Sequence, residues 1–448
     1  MATTLLQLEK KLNEAIGDDL EFKVSTKLST ASTAIAVATT LANHDDGSTD
    51  IFNDYWLSIT DGVNAGIQRK VSDYLTSAQT LKLRGGALLG DTATTATCRL
   101  HRYNRNDKVW AIRRALEELY PTIYEPIDDM SLVTGNILPN GHFHWNPTTA
   151  SFKWITGTSV TFDQTTSTGN YRGPMGTRSM KLTATTDSVY AEYDSNTYPR
   201  LLDLQGRSVS FYCWVKPSAV DEAWIQLYTL TADGTSQTLP STWGSTDVYA
   251  SYWNELKLES QTLSTDLQRV KIRFRVDQSS GTAYFDDAIV VGKHLHDYML
   301  PVDFQSSGNR AHLSQVYIQT RGYSNPICYD LQPIYWDRQE FRVEDMDGYK
   351  FLHLKDLNTN YRRIRLIGHK PIKFSSTADA GTVKLEGERL NLVIARAVQL
   401  FYRRIGQPLS SDDVARYKAN IAEWEREERR LKPTMTMLPP SDTLWTGR

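Results

Sequence analysis

From about Ser131 to Lys293 the helical spacing of apolar residues disappears, and short runs alternate apolar and polar side chains between clusters of turn-forming residues. Ser179–Thr183, Ser208–Val215, Trp253–Leu258, Val270–Val276 and Thr282–Val290 are such runs, rich in Thr, Ser, Tyr and Trp. A chain with period-two alternation buries one face of each run and wets the other, so this stretch is constrained to an antiparallel β-sandwich.

The flanks carry different patterns. Leu5, Leu8, Leu12 and Ala15/Ile16 fall at helical spacing before Gly17, which predicts an amphipathic helix over 3–16. Runs at 55–60, 68–74 and 80–84, separated by turn chemistry such as Asp61-Gly62, predict a β-meander within a small barrel. Val109, Ile112, Leu116 and Leu119 predict a second helix, capped at Asn106-Asp107 and ended at Tyr120-Pro121. The Pro-containing acidic segment 125–129 suits a boundary.

Beyond the sandwich, 316–320, 349–354 and 362–367 alternate as half-buried strands. Leu390 to Ile405, then Val414 to Leu431 after the start signal Ser410-Ser-Asp-Asp413, predict an αα-hairpin stopped by Pro433, with 432–448 as an extended arm. The expected architecture is multidomain α+β. Residues 1–129 form a helix plus β-meander domain, 130–296 the inserted antiparallel β-sandwich, 297–386 a β-rich continuation of the first domain, and 387–448 the helical hairpin and tail. At 448 residues the chain exceeds the roughly 250–300 that one hydrophobic core serves.

Composition narrows function mainly by exclusion. The 50 Lys and Arg balance 52 Asp and Glu, so no global field draws the chain to nucleic acid or an anionic membrane. Cys98, Cys213 and Cys328 are too far apart for a disulfide framework or a metal knuckle. The charged start, Met1 to Lys11, lacks the apolar run of a leader, and no stretch approaches the ~18 apolar residues of a membrane span, so synthesis and folding are expected in a cytoplasm. Nucleotide-binding loops are missing, since Gly86-Ala-Leu-Leu-Gly90 runs into Asp91 and no GxGxxG opens a helix. HExxH and GxSxG are also missing. A glycosidase carboxylate pair has no fixed spacing along the chain and stays open. No enzyme is expected.

Two constellations remain. His142-Phe-His144 and His294-Leu-His296 lie at the two ends of the sandwich, and if each sat on a strand the four imidazoles would share a face as metal ligands. Trp and Tyr of the middle segment supply flat rings for the C–H faces of sugars: Trp154, Tyr190, Trp224 and Trp253 are the candidate carbohydrate-binding residues, with Trp243 and Tyr252 behind them. Trp214, inside an apolar run, is assigned to the core.

Asn136-Ile-Leu-Pro-Asn-Gly-His-Phe-His-Trp145, Gly206 to Val215 and Tyr284-Phe-Asp-Asp-Ala-Ile-Val290 resemble the opening, central and closing strands of carbohydrate-binding modules found on bacterial glycanases. The resemblance implies a jelly roll and a structural calcium near Asp286 or Asp287. The opening acidic residue of that pattern is His144 here, so His142, His144, Asp286 and Asp287 are the metal candidates. No other cofactor is implied.

Asp54 to Tyr74 is similar to a β-module of tailed-bacteriophage virion proteins, and Arg363 to Pro371 with the two following helices resembles phage neck or head-to-tail connector proteins. That resemblance implies a virion structural protein assembled in the host cytoplasm, a ring of about twelve identical subunits touching portal and tail or neck proteins. The inserted jelly roll would bind glycans on the capsid exterior or the host surface. A tail-fibre or baseplate adhesin binding host polysaccharide is the alternative.

Overall fold

A computed structural model describes residues 3–18, 20–24, 33–36, 41, 50–90, 96–144, 154–156, 160–167, 169–172, 178–187, 189–243, 249–305, 312–320, 336–346, 348–355, 359–376, 381–405 and 411–435; the side chains of 154–156, 160–164, 242–243, 411–413 and 434–435 are outside the description. The chain divides into two compact units, one made of 1–125 with 371–448 and the other of 126–370.

In the first unit both flanks build one body. Helix α1, Leu5–Ile16, starts at Thr4, whose hydroxyl accepts from Gln7 while the Gln7 side chain reaches back to the Thr4 amide, and it ends at Gly17 in the left-handed conformation. Helix α2 spans Arg105–Glu118 and is capped by Asn104, two residues before the expected Asn106-Asp107. Asn104 is extended and its carbonyl side chain accepts from the Asn106 amide. Helices α3, Gly387–Ile405, and α4, Ser411–Met435, form the expected hairpin. Pro433 lies inside α4, not beyond it, and the rest of the expected arm from 436 lies outside the described residues.

Leu5, Leu8 and Leu12 of α1, Ile112 and Leu116 of α2, and Val393, Ala397 and Phe401 of α3 share one buried cluster. Strand Thr3–Thr4 pairs with Thr382–Val383 and ties the two flanking segments together. The meander is a six-stranded antiparallel sheet with its own core around Phe52, Leu57, Val71, Tyr74 and Leu100.

The second unit contains the antiparallel sandwich. Its strands are β1 Trp154–Thr156, β2 Val160–Thr165, β3 Ser179–Ala184, β4 Val189–Asp194, β5 Ser208–Pro217, β6 Ala223–Thr231, β7 Ser236–Pro240, β8 Thr242–Trp243, β9 Asn254–Thr262, β10 Leu267–Val276 and β11 Thr282–Val291. One sheet runs β2-β3-β11-β5-β9-β8 and the other β7-β6-β10-β4-β1. Phe211, Cys213, Val215, Ile225, Leu227, Ile272, Phe274 and Phe285 fill the space between them, all fully buried. This phase of β5 turns Trp214 outward, against its core assignment: half-buried, it lies under the Arg172 guanidinium, 3.3 Å from the ring centre.

Residues 297–370 belong to this unit, although they were expected to continue the first domain. Leu300, Phe304, Val316, Leu352 and Leu366 enter the same buried cluster as the sandwich core. The expected boundary 125–129 holds the division between the units, which falls after Glu125; the segment also begins a nine-residue strand, Glu125–Val133, in a four-stranded sheet with Arg363–Lys370.

Candidate saccharide-binding face

Alternation along three neighbouring strands builds the site. In β10, Val270, Ile272, Phe274 and Val276 go to the core, leaving Arg269, Lys271, Arg273 and Arg275 on the other face. In β6, Ala223, Ile225 and Leu227 point inward and Trp224, Gln226 and Tyr228 outward; in β4, Val189, Ala191 and Tyr193 point inward and Tyr190, Glu192 and Asp194 outward. Register aligns these into rows: Tyr190–Arg275–Trp224, then Glu192–Arg273–Gln226, then Asp194–Lys271–Tyr228.

The rows are cross-braced. Glu192, 5% exposed, accepts from Lys271 Nζ at 2.5 Å and from Arg273 Nε at 2.9 Å. Asp194 accepts from Arg269 through both oxygens; burial opposes its ionisation, but the Arg269 hydrogen bond, the Asn196 amide and nearby cations outweigh it and hold its carboxyl below the usual range. The Arg273 guanidinium lies 4.6 Å from the Tyr190 ring centre and 4.4 Å from that of Tyr228, so one cation fixes both rings. The face is a rigid plate of aromatic rings and amide and carboxylate groups.

Of the four carbohydrate candidates, Tyr190 and Trp224 share the first row. Trp253 precedes β9 of the opposite sheet and is not on this face. Trp154 opens β1 in register with Tyr193, and its side chain lies outside the described residues, as does that of Trp243. Tyr228, Glu192, Gln226 and Arg273 were not singled out by sequence. Their signal was the unbroken basic alternation of Arg269 to Arg275 and the matching phase of 224–228.

The metal candidates separate. Gly141 and His142 lie in a turn, and Phe143, at φ 51°, inserts into the core against Phe274. The strand rule therefore does not apply to His142 and His144, whose rings meet edge-on at 4.4 Å. His294 contacts Asn360 and His296 the Leu354 carbonyl, and among the described residues no group of three or more His, Cys, Asp or Glu side chains is placed to hold a metal. The four imidazoles do not converge.

Nor do the residues fit a calcium. The Asp287 carboxylate is taken by a bidentate contact from Arg363, and Asp286 accepts from the Arg172 and Asp287 amides. Full burial pushes the Asp286 carboxyl well up. Burial likewise pushes the imidazoles of His142 and His144 down; a hydroxyl and amide from Ser131 and the nearby His144 do not prevent burial from raising Asp129.

No family model matches the chain, and no curated protein matches it. Among solved structures, the enzymatically active domain of tailspike protein 4 of bacteriophage CBA120 overlaps 36% of this chain at 16% identity and a TM-score of 0.27, and this chain spans 22% of that one. A CBM22 xylan-binding domain of Paenibacillus barcinonensis overlaps 37% of this chain and 96% of its own, at 14% identity and a TM-score of 0.27. A family 16 carbohydrate-binding module overlaps 35% and 99%, at 14% identity and a TM-score of 0.27.

Proposed function

We propose that residues 126–370 are a saccharide-binding unit whose ligand lies on the outer face of β6, β10 and β4. The observation that carries this is the row Tyr190–Arg275–Trp224, two aromatic side chains one strand apart on either side of β10, next to the braced polar row Glu192–Arg273–Gln226. Aromatic rings contact sugar C–H faces, and the half-buried Arg273 guanidinium, fixed by the buried Glu192 beneath it, donates to hydroxyls. On this face the role is binding: Glu192 is engaged by Lys271 and Arg273, and Asp194 by Arg269, so both carboxylates are committed to holding the face together. A glycan array on the full chain, repeated with Trp224→Ala and Tyr190→Ala, tests it. Binding lost in both variants supports the reading, and binding indifferent to both removes it.

The protein is further read as a bacteriophage virion component, a neck or head-to-tail connector subunit in a homo-oligomeric ring of about twelve that meets portal and tail proteins. What supports this is the split body: residues 1–125 and 371–448 form one unit and carry the binding unit between them as an insertion. The competing reading, a tail-fibre or baseplate adhesin, rests on the same face. Negative-stain imaging separates them, with rings favouring the connector and trimers the adhesin.

A further inference from the structure

We infer that the loop before β9 is a second saccharide contact, at the end of the sandwich, which takes the part of an uncharged glycan chain that runs off the sheet face. This rests on the binding role proposed above. Tyr249 and Tyr252 are 59% and 68% exposed, their rings 6.1 Å apart at 75°, and neither phenol hydroxyl has a partner among the described residues.

The loop is braced to hold them out. Asn254 donates to the carbonyls of Tyr249 at 3.0 Å and Tyr252 at 2.8 Å and accepts from the Tyr249 amide at 3.3 Å. Ser251, between the two tyrosines in sequence, has φ 65°, and its amide donates to the Pro217 carbonyl at 2.7 Å. A solvent-facing loop with no ligand has no need of two ordered aromatic rings, whose apolar area water penalises.

Position gives the occupant. Pro217 ends β5, and residues 218–222 cross from that sheet to the one bearing Trp224. Glu222, fully buried, clamps this crossing by accepting from the Ser218 hydroxyl and the Ala219 amide, and the crossing presents Val220 at 49% exposure. Trp224 and Tyr190 both lie at the same end of their sheet, since Trp224 opens β6 and Tyr190 pairs with Arg275 near the end of β10. The paired rings and the aromatic row thus lie at the same end of the sandwich, on its two sheets. Among the described residues 249–254, with the Asn254 side chain committed to the loop's own backbone, aromatic rings and hydroxyls are what is on offer. A neutral saccharide, and not an ionic group, fits that chemistry.

The test uses the full chain and calorimetry with cello-, xylo- and galacto-configured trioses and hexaoses. The double variant Y249A/Y252A is expected to weaken the bound hexaose roughly tenfold, with triose affinity unchanged; Y249F/Y252F retains most of the hexaose affinity because the rings remain. Trp224→Ala lowers both lengths. Hexaose affinity unmoved by Y249A/Y252A, with Trp224→Ala still harmful, overturns this inference alone. Wild-type protein binding none of the six sugars overturns it together with the binding role. A changed sedimentation coefficient in Y249A/Y252A, with sugar affinity intact, overturns it in favour of contact with a second copy of the chain.

Discussion

The Arg363 guanidinium grips the Asp287 carboxylate with both terminal nitrogens, at side-chain exposures of 4% and 8%. Asp287 stands in the closing strand at φ 51°, beside the register shift between β5 and β11, and Arg363 opens the strand Arg363–Lys370, far beyond the sandwich in sequence. An organic cation from the same chain thus neutralises the carboxylate that the resemblance to glycanase modules had offered to calcium. Removing one partner of a buried pair strands the other charge, at a cost of about 3–5 kcal/mol. Arg363→Met is therefore expected to lower the free energy of urea unfolding by that amount, and Arg363→Met with Asp287→Asn to recover most of it. Wild-type melting temperature is expected to be the same in EDTA and in millimolar calcium; a drop of several degrees in EDTA would contradict the assignment.

Gly141 has no room for a side chain. A Cβ there would stand 2.0 Å from the Ala288 carbonyl oxygen, and the Ala288 amide donates to the Gly141 carbonyl at 2.7 Å. Asn136 straddles the same strand, donating to the Ala288 carbonyl and accepting from the Val290 amide. Gly141→Ala must push two backbones apart, so a loss of ~3 kcal/mol or more is expected in chemical denaturation, at the upper end of overpacking costs. Near-wild-type stability would mean the turn packs differently.

These two contacts show what sequence made legible. The strands of the sandwich were readable because each obeys its own period-two alternation, and α1 because Thr4, Gln7 and Gly17 are local signals. Local alternation says that a strand is half-buried, not against what, so nothing in 312–319 or 349–354 revealed that Val316 and Leu352 complete the core of the sandwich unit. The binding face was half legible for the same reason. Tyr190 and Trp224 stood out as aromatics, but Glu192, Gln226 and Arg273 come from three strands far apart in sequence and become neighbours only through register. The histidine pairs misled because Phe143 turns the chain out of strand geometry.

A pH effect is expected from His101 in the first unit. It is fully buried, with Nδ1 against the Asp18 carbonyl, and burial, followed by Lys108, lowers its pKa to about 4 although the Asp18 contacts act the other way. A histidine near pKa 6.5 when unfolded takes up its proton there first, so its contribution is complete above pH 6.5 and is lost as pH falls towards 4. The loss reaches about 3 kcal/mol at most. Arg99, Lys108 and Asp18 are the charges facing it. Comparing urea melts of wild type and His101→Asn from pH 7 to 4 should show the variant with a slope smaller by one proton; parallel slopes would place the titration elsewhere.

Arg273 decides whether the ligand face is a fixed plate or a set of independent side chains. Its guanidinium stacks on Tyr190 and Tyr228 and donates through Nε to Glu192, so two rings of the face and the carboxylate beneath them take their position from it. A lysine keeps the charge but has neither the planar surface for two rings nor the fork that reaches past them. Arg273→Lys is thus expected to preserve most of the stability, because Lys271 still neutralises Glu192 at 2.5 Å, while glycan affinity falls about tenfold, an amount matching the loss of roughly one aromatic contact. Trp224 fluorescence should move with the sugar in the wild type and respond less in the variant. If Arg273→Lys binds as tightly as wild type while Tyr190→Ala does not, the rings act without the clamp, and the plate is no more than the resting arrangement of the unliganded face.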